Sequence, residues 1–250
     1  MRIVFIHIKV VFFWLYLVSS AYSNSYKIDR SFKLIFWDIE IGVLAVTAEI
    51  IDSRYAVSSF GSTKGIISLF SRTLISSGAI GGITASGELI PSESTTRWHS
   101  SGKSKQTRLK YSDRKLVYFD HSSKIKKPHH IVNPVGKQNT IDPISLMLWF
   151  LIERDESELC AGDLLILDGF RMSELNFLKR IDKPGEIICI GVLRRVSGFK
   201  NAEMKKEPIE FEVNYFKDDK KEFFLSEFKI ETFFGKITVS GKPYKYGLSM

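Results

Sequence analysis

The sequence predicts a mainly β protein: a curved antiparallel sheet or half-barrel with one or two short helices, one of them buried against the concave face. Three observations lead there. Short segments of period-two hydrophobicity recur along most of the chain after residue 30. Each is bounded by Gly, Pro, Ser or Asp, the rhythm of antiparallel sheets. One stretch, Ile144 to Ile152, carries helical start signals and is apolar nearly all round. A helix apolar on every side must be buried on every side, and in a β protein the hollow of a bent sheet offers that burial.

The first 23 residues read as a secretory signal. Arg2 and Lys9 lie in a positively charged start, Val10 to Val18 is a short apolar run, and Ser19, Ser20, Ala21, Tyr22 and Ser23 offer small residues for a peptidase. Cleavage after Ala21 and cleavage after Ser23 fit equally. His7 and Lys9 interrupt the apolar stretch, so its continuous part is about half of the roughly 20 residues a spanning helix needs. An uncleaved anchor is the alternative. No cysteine lies here to carry a lipid. The expected destination is the periplasm or the exterior, with residues 24–250 forming a single domain.

Strands are then expected over Lys33 to Ile39, Val43 to Ile51, Tyr55 to Phe60, Gly78 to Leu89 and Ser94 to Ser100. In Gln106 to Tyr111, Thr107, Leu109 and Tyr111 alternate with Gln106, Arg108 and Lys110; Ser112, Asp113 and Arg114 supply a turn, and Leu116 to Phe119 completes a hairpin. Later strands are expected over Leu164 to Leu167, Glu174 to Leu178, Ile187 to Arg195, Ile209 to Tyr215 and Ile230 to Ser240. Gly42 and Gly235 interrupt apolar runs where a bulge or tight hairpin needs them. Gly65 to Arg72 fits one or two helical turns. The clearer helix is Asp142 to Arg154, with Asp142 placed to cap and Pro143 suited to the first helical position. Between these parts, His121 to Asn139 lacks periodicity and reads as a long flexible loop.

The formal charge is +8, from 36 Lys and Arg against 28 Asp and Glu. The excess is local. Between Lys103 and Lys127, nine bases, among them Lys103, Lys105, Arg108, Lys110, Arg114 and Lys115, stand against two acids, Asp113 and Asp120. Such a patch is either a solvated face or a surface for anionic lipid head groups. Nucleic acid is not an expected partner, because a signal directs the chain away from it and Trp98 and Tyr111 make a weak stacking platform.

Cys160 and Cys189 are the only cysteines. An oxidising compartment favours joining them, two buried free thiols being the alternative; their spacing is unlike a C-x-x-C redox pair. No metal or other cofactor is expected, since the adjacent His129 and His130, even with His121 nearby, cannot present the i, i+4 arrangement of a zinc site. No G-x-S-x-G and no G-x-x-x-x-G-K occurs, so no catalytic residue is singled out. Asp168 and Arg171 are placed to pair across a turn, where an exposed pair is normally structural.

Several stretches, in order, resemble the alphaproteobacterial branch of the family called domain of unknown function 3108. They are FWDIEIGVLAVTAEI (Phe36 to Ile50), STKGIISLFSR (Ser62 to Arg72), Gly82 to Gly87, IDPISLMLWFL (Ile141 to Leu151), CAGDLLILDGFRMSELNF (Cys160 to Phe177, with Phe170 inserted into an Asp-Gly-Arg element), CIGVLRRVSGFK (Cys189 to Lys200) and IETFFGKITVSG (Ile230 to Gly241). The resemblance carries over no activity; it implies a secreted or periplasmic protein whose curved antiparallel sheet is similar to the half-barrels of lipoprotein carriers and related lipid-binding envelope proteins.

Two functions of different class follow as expectations. One is binding of an apolar or lipid-like ligand in the hollow of the sheet, with Ile144, Leu148, Trp149 and Leu151 lining or plugging the cavity; a helix that simply completes the core is the competing role for those residues. The other is a structural or protein-interaction module that docks an envelope partner through its basic hairpin or an open sheet edge.

Overall fold

The structure is a computed structural model that describes residues 25–65, 67–122, 133–218, 222–232 and 235–241. The signal expected over residues 1–23 lies outside them, as do Lys124, Lys126, Lys127, His129 and His130.

Fourteen strands form one sheet. They are β1 (Ser25–Phe36), β2 (Ile39–Ile51), β3 (Arg54–Thr63), β4 (Thr73–Ile83), β5 (Leu89–Ser100), β6 (Lys103–Ser112), β7 (Lys115–His121), β8 (Thr140–Ile141), β9 (Asp163–Leu167), β10 (Met172–Lys183), β11 (Glu186–Ser197), β12 (Ile209–Lys217), β13 (Phe223–Thr232) and β14 (Gly235–Gly241). The helices are α1 (Ile67–Phe70), α2 (Pro143–Leu151) and α3 (Asn201–Met204), with a 3-10 turn at Glu156–Glu158.

Side-chain alternation dictates how these strands sit. In β1, Ile28, Arg30 and Phe32 are buried while Lys27, Asp29, Ser31 and Lys33 face solvent. In β12, Phe211, Val213 and Tyr215 point to the same interior. Neighbours run β7-β6-β5-β4-β3-β2-β1-β14-β13-β12-β11-β10-β9-β8. Strands consecutive in the chain pair antiparallel from β1 to β7 and from β9 to β14, and the first strand pairs with the last, Leu34 opposite Val239. Only the short β8 runs parallel to its neighbour, β9.

The ends of this order return to each other, which makes the sheet a nearly closed barrel. Arg114 to Leu116, at the β6–β7 turn, hydrogen-bonds the segment that leads into β8: Leu116 N–H donates to Lys137 O (2.9 Å), Gly136 N–H to Leu116 O (2.8 Å) and Asn139 N–H to Arg114 O (2.9 Å). Thr140 and Ile141 then continue onto β9. Leu109, Tyr111 and Leu116 from one end of the order bury themselves with Leu167 from the other, and Phe119 and Met172 pack against them. The β9–β10 turn locks this seam. Asp168 Oδ1 accepts from the backbone N–H groups of Phe170 and Arg171 (both 2.8 Å), and Phe170 packs edge-on against Phe119 and His121. Gly169, at φ 99°, has no room for a Cβ beside Phe119, and its positive φ suits glycine.

Several sequence expectations change here. The strand expected from Lys33 to Ile39 is cut by a turn at Trp37 and Asp38, both at positive φ, which separates β1 from β2. Gly78 to Leu89 is divided by the turn in which Thr84 N–H donates to Glu88 O. The loop expected to be flexible over 121–139 begins with a strand residue, His121, and ends with residues pinned to the hairpin by the bonds above. Asp168 and Arg171 meet through the backbone, and the Arg171 guanidinium lies over the Phe199 ring instead of on the carboxylate.

Helix α2 occupies the lumen. It touches β3, β4 and β5 on one wall and β9 and β13 on the opposite one, and Ile144, Ser145, Leu148, Trp149, Phe150 and Leu151 are buried. It enters beside the end of the barrel that carries the β3–β4 and β5–β6 turns and leaves at the other end.

Candidate functional site

The head of α2 is fixed by a buried polar chain. Asp142 Oδ1 accepts from the N–H groups of Ile144 (3.1 Å) and Ser145 (3.0 Å), two of the donors that a helix start leaves unpaired. Ser145 Oγ donates to Asp142 Oδ2 at 2.6 Å, so the hydroxyl of Tyr55, 2.8 Å from the same Oγ, is the donor to it. Burial pushes the Asp142 carboxyl above the ordinary carboxylate range. Burial, reinforced by the Asp142 charge, also raises the Tyr55 and Tyr111 hydroxyls well above their usual value. Asp142, Ser145 and the Tyr55 hydroxyl are sealed from solvent and hold the helix in register with the wall. Asp142→Ala is therefore expected to cost about 2 to 3 kcal/mol of stability in chemical denaturation, through the lost cap and the orphaned Ser145 hydroxyl. Asp142→Asn, which keeps an acceptor for the two N–H groups, should cost less.

The rest of the helix anchors by aromatic packing. Trp149 stacks on Phe177 and meets Phe150 edge-on; Phe150 reaches Phe228, and Phe211 bridges Phe228 and Phe177. Gly191 on β11 makes this possible, because a Cβ there would come within 2.3 Å of the Phe211 ring. The Arg154 guanidinium lies 3.7 Å from the Trp149 ring centre and donates to the Tyr215 hydroxyl at 3.2 Å. Burial pushes that hydroxyl up to about 12, against the opposing pull of Arg154. Below the helix exit, Cys160 and Cys189 form a disulfide, with Cα atoms 5.1 Å apart, that ties the segment following α2 to β11.

Of the four residues expected to line or plug a cavity, Leu148, Trp149 and Leu151 belong to this packed interior. Ile144 alone reaches an open space. On that side of α2 a pocket of about 270 Å³ remains between Ile144 and Met147 and the inner face of β1 to β4, where Leu34, Leu44, Gly61 and Ile75 line it. Its walls are overwhelmingly apolar. Ile75 is 40% exposed although it faces inward, so the pocket opens at the barrel mouth. Gly61 and Ile75 pair across β3 and β4, Gly61 one residue beyond the strand expected to end at Phe60 and Ile75 three residues before the one expected to start at Gly78. A second depression, of about 670 Å³, surrounds the helix exit and is ringed by Glu153, Arg154, Asp155, Glu156 and Glu158. A third, of about 720 Å³, is an open groove on the outer surface over Thr47, Ala56, Ser58 and Gly78.

The basic residues divide by strand parity. Arg108 and Lys110 lie on the outer face of β6 and share Glu93, at 3.2 and 3.8 Å; Arg114, in the following turn, pairs with Glu88 at 2.6 Å. The stem of Lys115 lies beside Gly136. Lys103 and Lys105 have the opposite parity, that of the inward-facing Thr107, Leu109 and Tyr111. Among the described residues, no group of three or more His, Cys, Asp or Glu is arranged to hold a metal ion, and no helix is long and apolar enough to cross a membrane.

Fold and site together define a β-barrel-like protein built from a single sheet, with a helix lodged in its lumen and an apolar pocket at the helix head. No family model and no curated protein matches the chain. Among solved structures, a β-barrel-like protein of domain of unknown function 1849 from Brucella abortus is similar over 89% of this chain and 98% of its own, with 9% identity and a TM-score of 0.46.

Proposed function

We propose that the protein is an exported, non-enzymatic binder of an apolar or lipid-like ligand, held in the pocket at the head of α2. The observation that carries this reading is the pocket itself. Beside the head of α2 the barrel keeps about 270 Å³ of apolar-lined space open to its mouth, where leaving the lining wet is unfavourable and a hydrocarbon chain displaces that water. The disulfide supports export, since such bonds persist in oxidising compartments, and the signal-like first 23 residues supply the route. The stretches that resemble domain of unknown function 3108 belong to the same reading, for they include the Asp142–Pro143 helix start and both cysteines.

Gly61 offers a clean test. A Cβ there meets only ordinary contacts, Val43 O at 3.7 Å and a Leu44 methyl at 3.8 Å, so Gly61→Phe directs a ring into the pocket without a clash at the backbone. Wild-type protein is expected to take up a fluorescent fatty-acid probe with micromolar affinity, and Gly61→Phe to weaken that uptake at least tenfold. Equal uptake by a folded Gly61→Phe variant would refute the assignment.

A further inference from the structure

From the register of the strands beside the pocket we infer that its ligand is an anionic amphiphile, with the hydrocarbon chain against α2 and the carboxylate or phosphate at Lys103 and Lys105. The inference rests on the apolar pocket proposed above. Two cross-strand rows lead out of that pocket. Ile75, which lines it, stands opposite Trp98 on β5, and Trp98 stands opposite Lys105 on β6. Thr73, also in the lining, stands opposite Ser100, which stands opposite Lys103. Each strand step is about 4.8 Å, so the backbones of Lys103 and Lys105 lie roughly 10 Å from those of Thr73 and Ile75.

The chemistry along these rows is graded. Ile75 is followed by the half-buried Trp98 ring, with Lys105 Nζ 5.3 Å from its centre. In the parallel row, Thr73 Oγ1 donates to Ser100 Oγ at 3.0 Å, and Ser71 Oγ lies 3.3 Å from both hydroxyls. An apolar floor therefore passes through an indole and a set of hydroxyls to two cations, the order an amphiphile presents from tail to head. Arg108, Lys110 and Arg114 have glutamate partners on the outer side of the hairpin. Among the described residues, neither Lys103 nor Lys105 forms an ion pair. Lys105 also lies close enough to His121 to add to the lowering of its pKa that burial causes, with Asp120 opposing. Glu40, at the same end of the barrel, is already held by Lys33 at 2.9 Å and Lys64 at 4.0 Å.

Calorimetric titration of the full-length protein separates tail from head. The probes are decanoate, decyl phosphate, decanol, decyltrimethylammonium and inorganic phosphate, each below its micelle threshold. Decanoate and decyl phosphate should bind about tenfold tighter than decanol or the ammonium compound. Lys103→Gln/Lys105→Gln should erase that preference and leave decanol unchanged, whereas Arg108→Gln should alter nothing. Both lysines are exposed, so the double variant is expected to fold normally. Decanol binding as tightly as decanoate, with no effect of the double variant, would overturn the head-group assignment while the pocket stands. Inorganic phosphate binding as tightly as decyl phosphate would show a bare anion site and overturn it as well. If no probe binds, or Gly61→Phe changes none of them, the pocket and the head group fall together.

Discussion

Leu148→Ala is expected to lower folding stability by about 3 to 4 kcal/mol, in line with deletion of a fully buried leucine whose surroundings cannot collapse. Leu148 is 0% exposed at the centre of α2, and the helix lies between walls that a nearly closed, hydrogen-bonded sheet holds apart. Relaxation into the vacated space would require strands to move together, which their ladders resist. Urea denaturation should show a lower midpoint with an unchanged slope, because the surface exposed on unfolding is the same. Leu148→Met, close to isosteric, should recover most of the loss. A loss below about 1 kcal/mol would mean that α2 rests loosely on the sheet rather than filling the barrel.

Removing the disulfide should have a comparable effect through a different term. Cys160 and Cys189 are 29 residues apart, and closing such a loop stabilises by roughly 3 to 4 kcal/mol in the chain-entropy model. The bond also holds the helix exit against β11, with Cys189 fully buried. Cys160→Ser/Cys189→Ser is therefore expected to unfold at lower urea, and reductant should shift the wild-type midpoint to nearly the same place. An unchanged midpoint in both experiments would remove the disulfide from the account of stability and weaken the case for an oxidising destination.

The helix and the strand habit were legible because each is a local pattern. Asp142, Pro143 and the run from Ile144 announce a capped, largely buried helix, though Leu146 and Met147 stay only partly buried, and Thr107, Leu109 and Tyr111 alternate as the finished β6 does. Strand β13 was only partly recognised, from Ile230 onward. Phe223, Phe224 and Leu225 are consecutive apolar residues, and an extra residue in β13 itself, Ser226, which stands between the partners of Asn214 and Tyr215, breaks the period there. Barrel closure was not legible at all: it depends on contacts between Arg114 to Leu116 and residues 136–139, and between β1 and β14, which no local periodicity encodes. The pocket was half legible. Ile144 follows from the helix, but Leu34, Leu44 and Ile75 join it only once the four strands β1 to β4 are registered against one another. The two lysines were visible as charge, yet their inward parity depends on β6 beginning at Lys103, directly after a tight turn at Ser101 and Gly102, both at positive φ.

The most direct test is a crystal of the protein soaked with decanoate carrying bromine at its methyl end, read by anomalous scattering. The expected peak lies in contact with Leu44, Ile75 and Met147, with the carboxylate density directed toward Lys105. Bromine found only on the outer surface, with the space beside Ile144 refilled by protein side chains, would contradict it.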